Sequence, residues 1–303
     1  MELASANCSM NNISISVVIC TNGRRDSLEV ALQSLRQQRY RNFEICVVAG
    51  PDEDGTEEML DNWRDAIKYA KNPERNLSKS RNLGILLAAG EIVAFIDDDS
   101  IPETEWLEQI AAAYEDPKVG GAGGHVFDHT GLAFQWTYGT TDRLANANLS
   151  WQRHMEEFNH PYSYNYPHML GANSTFRRAA LVDIGGFDEE FEYFLDETDV
   201  MLRMVDKGWS IRQLADAYVH HKYLPSNVRN KKNYLTEWYS IIKNKLYFMV
   251  RHGKGYHEPY DIMSRWVKFV EEARWHMENG VNDGELEPQS RARFEQQVEE
   301  AYR

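Results

Sequence analysis

Long apolar runs are missing from this chain of 303 residues: the longest near its start, Ile13 to Cys20, is far too short to cross a bilayer. No basic n-region with a long apolar h-region follows the first methionine, which argues against secretion and for a cytoplasmic protein. Positive charge is also scarce, with 33 Lys and Arg against 47 Asp and Glu, and the net charge of -14 argues against a nucleic-acid partner. The three cysteines, Cys8, Cys20 and Cys46, lack metal-ligand spacing. Cys20 and Cys46 fall in apolar runs and read as small core residues of a reducing compartment. Two phosphate-binding signatures are absent. Without GxGxxG after the first strand a dinucleotide site is poorly supported, and without GxxxxGK[ST] a phosphate-loop NTPase is excluded.

What is present is an alternation of strands and helices. Ser14 to Cys20 is β-branched and apolar and stops at Thr21-Asn22-Gly23. Leu28, Ala31, Leu32 and Leu35 then lie on one helical stripe. Phe43 to Ala49 predicts a second strand ending at Gly50-Pro51, and Thr56 opens a short helix with Met59, Leu60 and Trp63 inward. Ile67 to Ala70 is a third strand, Ser78 to Ala89 a helix closed by Gly90, and Ile92 to Ile96 a fourth strand. Such alternation predicts an α/β fold whose sheet is mostly parallel and covered on both faces. Ligands of such sheets bind beyond the carboxyl ends of the strands, so the loops at Thr21, Gly50 and Asp97 should converge on one cleft.

The fourth strand ends in three carboxylates, Asp97-Asp98-Asp99. Clustered carboxylates repel one another and are costly to desolvate, so a positive partner is expected, and a divalent cation bridging to phosphate fits best. The plainer alternative is an aspartate N-cap with Pro102 just inside the next helix. Gly120, Gly121, Gly123 and Gly124 read as close packing in a strand rather than a phosphate cradle. A second acidic cluster follows Gly185-Gly186: Phe187-Asp188-Glu189-Glu190, then Asp196-Glu197-Thr198-Asp199 opening a helix that ends near Gly208. These acids either favour the helix dipole or supply a general base. Ser210 to Leu214 and Ala217 to Val219 read as short edge strands leading to His220-His221, either a metal ligand or surface histidines.

Four of these blocks together resemble family 2 glycosyltransferases of the GT-A fold. They are Ser16-Val17-Val18-Ile19-Cys20-Thr21-Asn22-Gly23-Arg24, Asn76-Leu77-Ser78-Lys79-Ser80-Arg81-Asn82-Leu83-Gly84-Ile85, Asp97-Asp98-Asp99 as a DXD motif, and Gly185-Gly186-Phe187-Asp188-Glu189 with Asp196-Glu197-Thr198-Asp199. Their order and spacing over residues 13 to 221 carry the likeness more than any single block. The resemblance implies an inverting transfer from a nucleotide-sugar, UDP-linked by default, to a glycan or lipid-linked acceptor. It places Mn2+ or Mg2+ on Asp97 and Asp99, with His221 favoured over His220 as third ligand. Glu197 would be the base, with Asp196 beside it. Thr21, Asn22, Arg24, Asp52, Arg81, Asp97 and Asp98 would bind the donor, and Asp199 and Asn173 the acceptor. One departure stands out: the second strand lacks the aspartate pair that often reads the base, which leaves Asp52, Glu53 or the backbone for that contact. A pyrophosphorylase-like nucleotidyltransferase and a non-catalytic sugar-nucleotide-binding module remain as alternatives.

The expected organisation is a tail over 1–12, a catalytic domain over 13–222 and a helical region over 223–303. From Lys222 to Lys254 eight Lys and Arg face a single acid, Glu237, with aromatics interleaved. This segment reads as a helix packed on the catalytic domain or, alternatively, as a peripheral membrane contact at the inner face of the membrane. In the second case Trp238, Tyr239 and Phe248 would lie at the interface. The helical pattern with Phe294, Val298 and Tyr302 on one face runs to the last residue, which suits a piece of a longer protein as well as a whole one.

Overall fold

The computed structural model describes residues 13–51 and 54–303, so Cys8, Asp52 and Glu53 lie outside the described residues. The elements run β1 (Ile15–Thr21), α1 (Arg25–Leu35), β2 (Phe43–Ala49), α2 (Thr56–Asp61), β3 (Ile67–Lys71), α3 (Leu77–Leu87), β4 (Ile92–Ile96), β5 (Ser100–Pro102) and α4 (Trp106–Ala113). They continue β6 (Val119–Phe127), β7 (Phe134–Trp136), β8 (Tyr138–Asp142), β9 (Ala147–Trp151), β10 (Asn165–His168), β11 (Asn173–Arg177), α5 (Arg178–Ile184), α6 (Asp196–Asp206), β12 (Ser210–His221), α7 (Tyr239–Gly253), α8 (Pro259–Asn282) and α9 (Ser290–Tyr302).

The main sheet has the order β3-β2-β1-β4-β11-β6-β12-β5, with β7 paired to β6, and a smaller sheet has the order β10-β8-β9. Strands β1 to β4 are parallel. β11 runs antiparallel to both β4 and β6, which restores the parallel direction at β6 and, beyond it, at β12. The carboxyl ends of β1, β2, β4 and β12 therefore share one edge of the sheet. This carries His221 to the edge where Asp97 emerges, although more than a hundred residues separate them in sequence.

Both faces of the sheet are covered, which explains the unbroken apolar runs. Ile15, Val17 and Ile19 alternate into a core with α1 and α4, while Val18, Val93 and Phe95 enter a second core with α6. Burying each such side chain contributes roughly 1.5–3 kcal/mol. Gly90 does not close α3, which ends at Leu87 with Ala88 as its cap. It lets the chain pass over β1, where a Cβ would come within 2.7 Å of the Ser16 backbone nitrogen. The glycines of β6 do permit close packing: a Cβ on Gly123 would lie 2.3 Å from the Asn173 carbonyl oxygen.

Two expectations need correction, and one pair of alternatives is decided. Pro102 lies in the short strand β5, not in a helix, and the next helix starts at Trp106. Ser210 to His221 form one strand between β6 and β5 rather than two edge strands, with an irregularity between Leu214 and Val219. The basic aromatic segment is built into the protein. Trp238 and Phe248 are buried, in the α7–α8–α9 core and the α6 core respectively, so neither is available to a membrane. The Lys245 ammonium is buried as well. It donates to the Ala145 carbonyl at 2.8 Å, and burial pulls its pKa down to about 8. Among the described residues no helix is long and apolar enough to cross a membrane.

Candidate active site

The carboxyl edge of the sheet opens into a cleft of about 770 Å³, within the size range of small-ligand sites. Thr21 lines it from the end of β1, Asn22 and Arg24 from the loop that follows, Arg81 from α3, Asp97, Asp98 and Asp99 from the turn after β4, Asp196 and Glu197 from α6, and His221 from β12. Cys20, expected in the core, is half-buried on the cleft wall, and burial pushes its thiol up to about 12.

Asp97, Asp99 and His221 each offer a ligand atom, and the three atoms lie within 4.8 Å of one another. His221 Nε2 stands 3.2 Å from Asp99 Oδ1 and 3.7 Å from Asp97 Oδ2. Burial opposes charge on both groups, yet their mutual contact holds Asp99 below its usual range and His221 above its own. The His221 ring is oriented from behind: Nδ1 donates to Gln135 Oε1 at 2.9 Å. That bond turns Nε2 and its lone pair toward Asp99, and two acceptors facing each other across this gap require a cation or proton between them. Carboxylate oxygens with one imidazole suit Mn2+ or Mg2+. His220 points elsewhere, bonding to Glu103 at 2.7 Å and stacking on Phe127.

Asp98 is differently employed. Its Oδ2 accepts from Thr21 at 2.7 Å and its Oδ1 from Arg24 at 2.9 Å, while burial pushes its pKa up to about 6. Arg24 also reaches Asp99 at 3.3 Å and donates to the Leu224 and Pro225 carbonyls. Leu224 N–H in turn donates to Asp99 Oδ2 at 2.8 Å. The strap after β12 is thus tied across the aspartate cluster, and it brings Arg229 into the cleft lining. Asn22 lies against the backbone at Gly50, where a Cβ would meet its side-chain oxygen at 2.5 Å.

The second acidic pair faces the first across the cleft. Arg81 is buried and bonded to Asp196, with Glu197 Oε2 3.6 Å away. Burial first, and then Glu197, push the Asp196 carboxyl up to about 8, with Arg81 opposing. The Glu197 side chain keeps 17% of its surface exposed, against 2% for Asp196. The turn into α6 is strained: Phe194 and Leu195 hold φ of 76° and 68°. Such non-glycine conformations cost about 1–3 kcal/mol each. Asn244 of α7 donates to the carbonyls of Tyr193 and Phe194 and holds the turn in place. Helix α7 is therefore part of the scaffold that aims the carboxylates.

Two expected acceptor residues do not line the cleft. Asp199 is fully buried, pairs with Arg203 and bonds His252 at 2.7 Å, tying α6 to α7. Asn173 is buried beneath the sheet edge, accepting from Trp106 and donating to the Ala217 carbonyl. Short polar side chains beside a motif do not reveal which way they turn, and here packing turns both inward. Gln135 and Asn244 carry no signal in the sequence, because each acts across the fold on a distant residue.

Gln135 gives a direct test. Gln135→Leu removes the acceptor that orients His221 while keeping a similar volume. Loss of such an outer-shell partner typically lowers metal affinity about 10–100-fold. The expected result is that drop in Mn2+ affinity, measured by titration followed by electron paramagnetic resonance, with an unchanged melting point of the metal-free protein. Unchanged affinity would remove Gln135 from the site.

The model of the family described as glycosyl transferase family 2 matches residues 16–185, more than half of the chain, and the chain belongs to that family. It is similar to the glucosyl-dolichyl phosphate glucuronosyltransferase of Haloferax volcanii, at 28% identity over 57% of this chain and 56% of that one. It is also similar to the O-antigen biosynthesis protein RfbC of Myxococcus xanthus, at 25% identity over 69% of this chain but 17% of that one. The chain thus spans about half of the first relative's length and far less of the second's. Among solved structures, the mannosyltransferase PcManGT of Pyrobaculum calidifontis, in complex with GDP-Man and Mn2+, superposes with a TM-score of 0.60 at 17% identity, covering 89% of this chain and 73% of that one. TarS of S. aureus, in complex with UDP-GlcNAc, gives 0.58 at 17% identity, covering 95% and 79%. The fold is that of the GT-A glycosyltransferases, an α/β sheet mostly parallel in its first half.

Proposed function

We propose that this protein is an inverting glycosyltransferase that moves a sugar from a nucleoside diphosphate to a hydroxyl of a glycan or lipid-linked acceptor. The observation that supports this best is the meeting, in one cleft, of an Asp-Asp-His cluster with a partly exposed carboxylate on the facing helix. A sugar diphosphate needs a cation at its leaving group and a base at its acceptor, and the two clusters provide for both. Asp97, Asp99 and His221 would hold Mn2+ or Mg2+. A divalent ion there neutralises the charge that develops on a departing diphosphate.

The other residues act in their own right. Thr21 and Arg24 brace Asp98 and so set the floor of the donor pocket. Arg81 bonds Asp196 and lies 3.6 Å from Glu197, and the more exposed Glu197 carboxylate is the one placed to take a proton from an incoming hydroxyl. The strained turn before α6, clamped by Asn244, keeps that carboxylate from drifting. An in-line attack assisted by a single base inverts the anomeric centre. Uridine is the default base of the donor, and with no aspartate pair at the end of β2 its contact falls to Asp52, Glu53 or the backbone. The catalytic unit extends over 13–222, with 223–303 as its helical support.

A thermal-shift screen of UDP-, GDP- and dTDP-sugars, each with and without Mn2+, tests this reading. A ligand at a hundred times its Kd stabilises the native state by about 2.7 kcal/mol. At least one nucleotide-sugar is expected to raise the melting point in a Mn2+-dependent way. No shift with any of them at millimolar concentration would count against a donor site in this cleft.

A further inference from the structure

With Asp199 and Asn173 turned into the core, the acceptor side of the cleft has to be built from other residues. The lining itself supplies them. Gln135, Trp136, Thr141 and His168, from β7, β8 and β10, face the same cleft as Glu197. In the antiparallel β8–β10 pair Tyr166 stands opposite Thr141 and His168 opposite Gly139, so Thr141 and His168 project from one face. Thr141 is 2% exposed and His168 7%. Each holds a buried polar atom, Thr141 Oγ1 and His168 Nδ1, without a hydrogen-bond partner among the described residues. Trp136 meets the His168 ring edge-on at 5.1 Å, and its ring packs over Gly139, where a Cβ would come within 2.7 Å.

This wall runs directly to the candidate base. Three residues past His168 the chain reaches Gly171, where a Cβ would lie 3.3 Å from Glu197 Oε1 and 2.9 Å from Arg81 Nη2. A ligand resting on the wall would therefore have one end at the carboxylate. Two unpaired buried polar atoms in a small area are costly, and native proteins keep such groups where a ligand or water completes them. The wall residues Gln135, Trp136, Thr141 and His168 carry one titratable group, the His168 ring, while Arg81 and Arg229 line other parts of the same cleft. Burial lowers the His168 pKa to about 4, so its ring is neutral at physiological pH, one nitrogen a donor and the other an acceptor.

We propose that Thr141, His168 and Trp136 form the acceptor subsite, and that the group seated there is an uncharged pyranose ring held through its hydroxyls. This rests on the glycosyltransferase reading and deepens it. The part of the Trp136 indole left open to the cleft, 9% of the residue, supplies an apolar edge for ring C–H groups, and the two unpaired atoms supply polar contacts.

The test uses the full chain and four probes: methyl β-D-glucopyranoside, methyl β-D-galactopyranoside, methyl α-D-mannopyranoside and the methyl β-glycoside of N-acetylglucosamine. Binding is read by saturation-transfer NMR, with UDP or GDP and Mn2+ present and absent. At least one glycoside is expected to bind. Thr141→Val and His168→Ala should each weaken it by about tenfold, the scale of one lost hydrogen bond with its buried partner left unpaired. Nucleotide–Mn2+ affinity in the same variants should stay at the wild-type level. If His168→Ala does not fold, the nearly isosteric Thr141→Val carries the test. Absence of binding by all four glycosides overturns the subsite, as does wild-type glycoside affinity in the folded variants. Failure of nucleotide binding alone, with glycosides still bound, would count against the donor site and leave the subsite standing.

Discussion

Replacing Asp99 by Asn should abolish nearly all turnover and most of the Mn2+ dependence of donor binding. Asp99 is the hub of the cluster. It is buried, faces His221 at 3.2 Å, pairs with Arg24 at 3.3 Å and accepts from the strap at Leu224. Asparagine keeps the shape and removes the charge, so the loss should exceed the about 10–100-fold typical of an outer-shell partner such as Gln135. Excess chelator should have the same effect on the unmodified protein. The measurements are Mn2+ titration, donor binding with and without metal, and turnover. Full activity in excess chelator would sink the metal assignment.

Glu197→Gln should lower kcat by about 10²–10⁴, the usual cost of losing a general base, with donor affinity almost unchanged. The structure sharpens this expectation relative to its neighbour. Asp196 is buried against Arg81, whereas Glu197 reaches the cleft surface. Asp196→Asn should act mainly by loosening Arg81, and so should cost stability as well as rate. If Asp196→Asn loses kcat while Glu197→Gln does not, the base is Asp196. Analysis of the product anomer completes the experiment: retained configuration would reject a single in-line displacement.

The regular part of the fold was legible because it obeys local rules. The buried strands β1, β2 and β4 show unbroken apolar runs, and the stripe Leu28-Ala31-Leu32-Leu35 marks α1. Each loop at a strand's carboxyl end could be placed on the cleft because parallel sheets bind there. Reading failed where direction depends on partners. Pro102 looked like a helix start, but pairing with Val219 draws it into a strand. For the basic aromatic segment the packed-helix reading holds over the membrane alternative: Lys245 finds the Ala145 carbonyl, and Trp238 and Phe248 find two separate cores.

The sequence by itself determined the chemistry that is available. It set two acidic clusters and a histidine pair at the ends of predicted elements, and their order was enough to suggest the family. Only the tertiary structure decided which members meet. The antiparallel insertion of β11 between β4 and β6 restores strand direction and delivers His221, not His220, to Asp97 and Asp99. Packing between α6 and α7 turns Asp199 inward, and the strained turn held by Asn244 leaves Glu197 facing out. Those outcomes follow from contacts between segments far apart in the chain, and a local pattern holds no record of such contacts until loop closure brings the segments together.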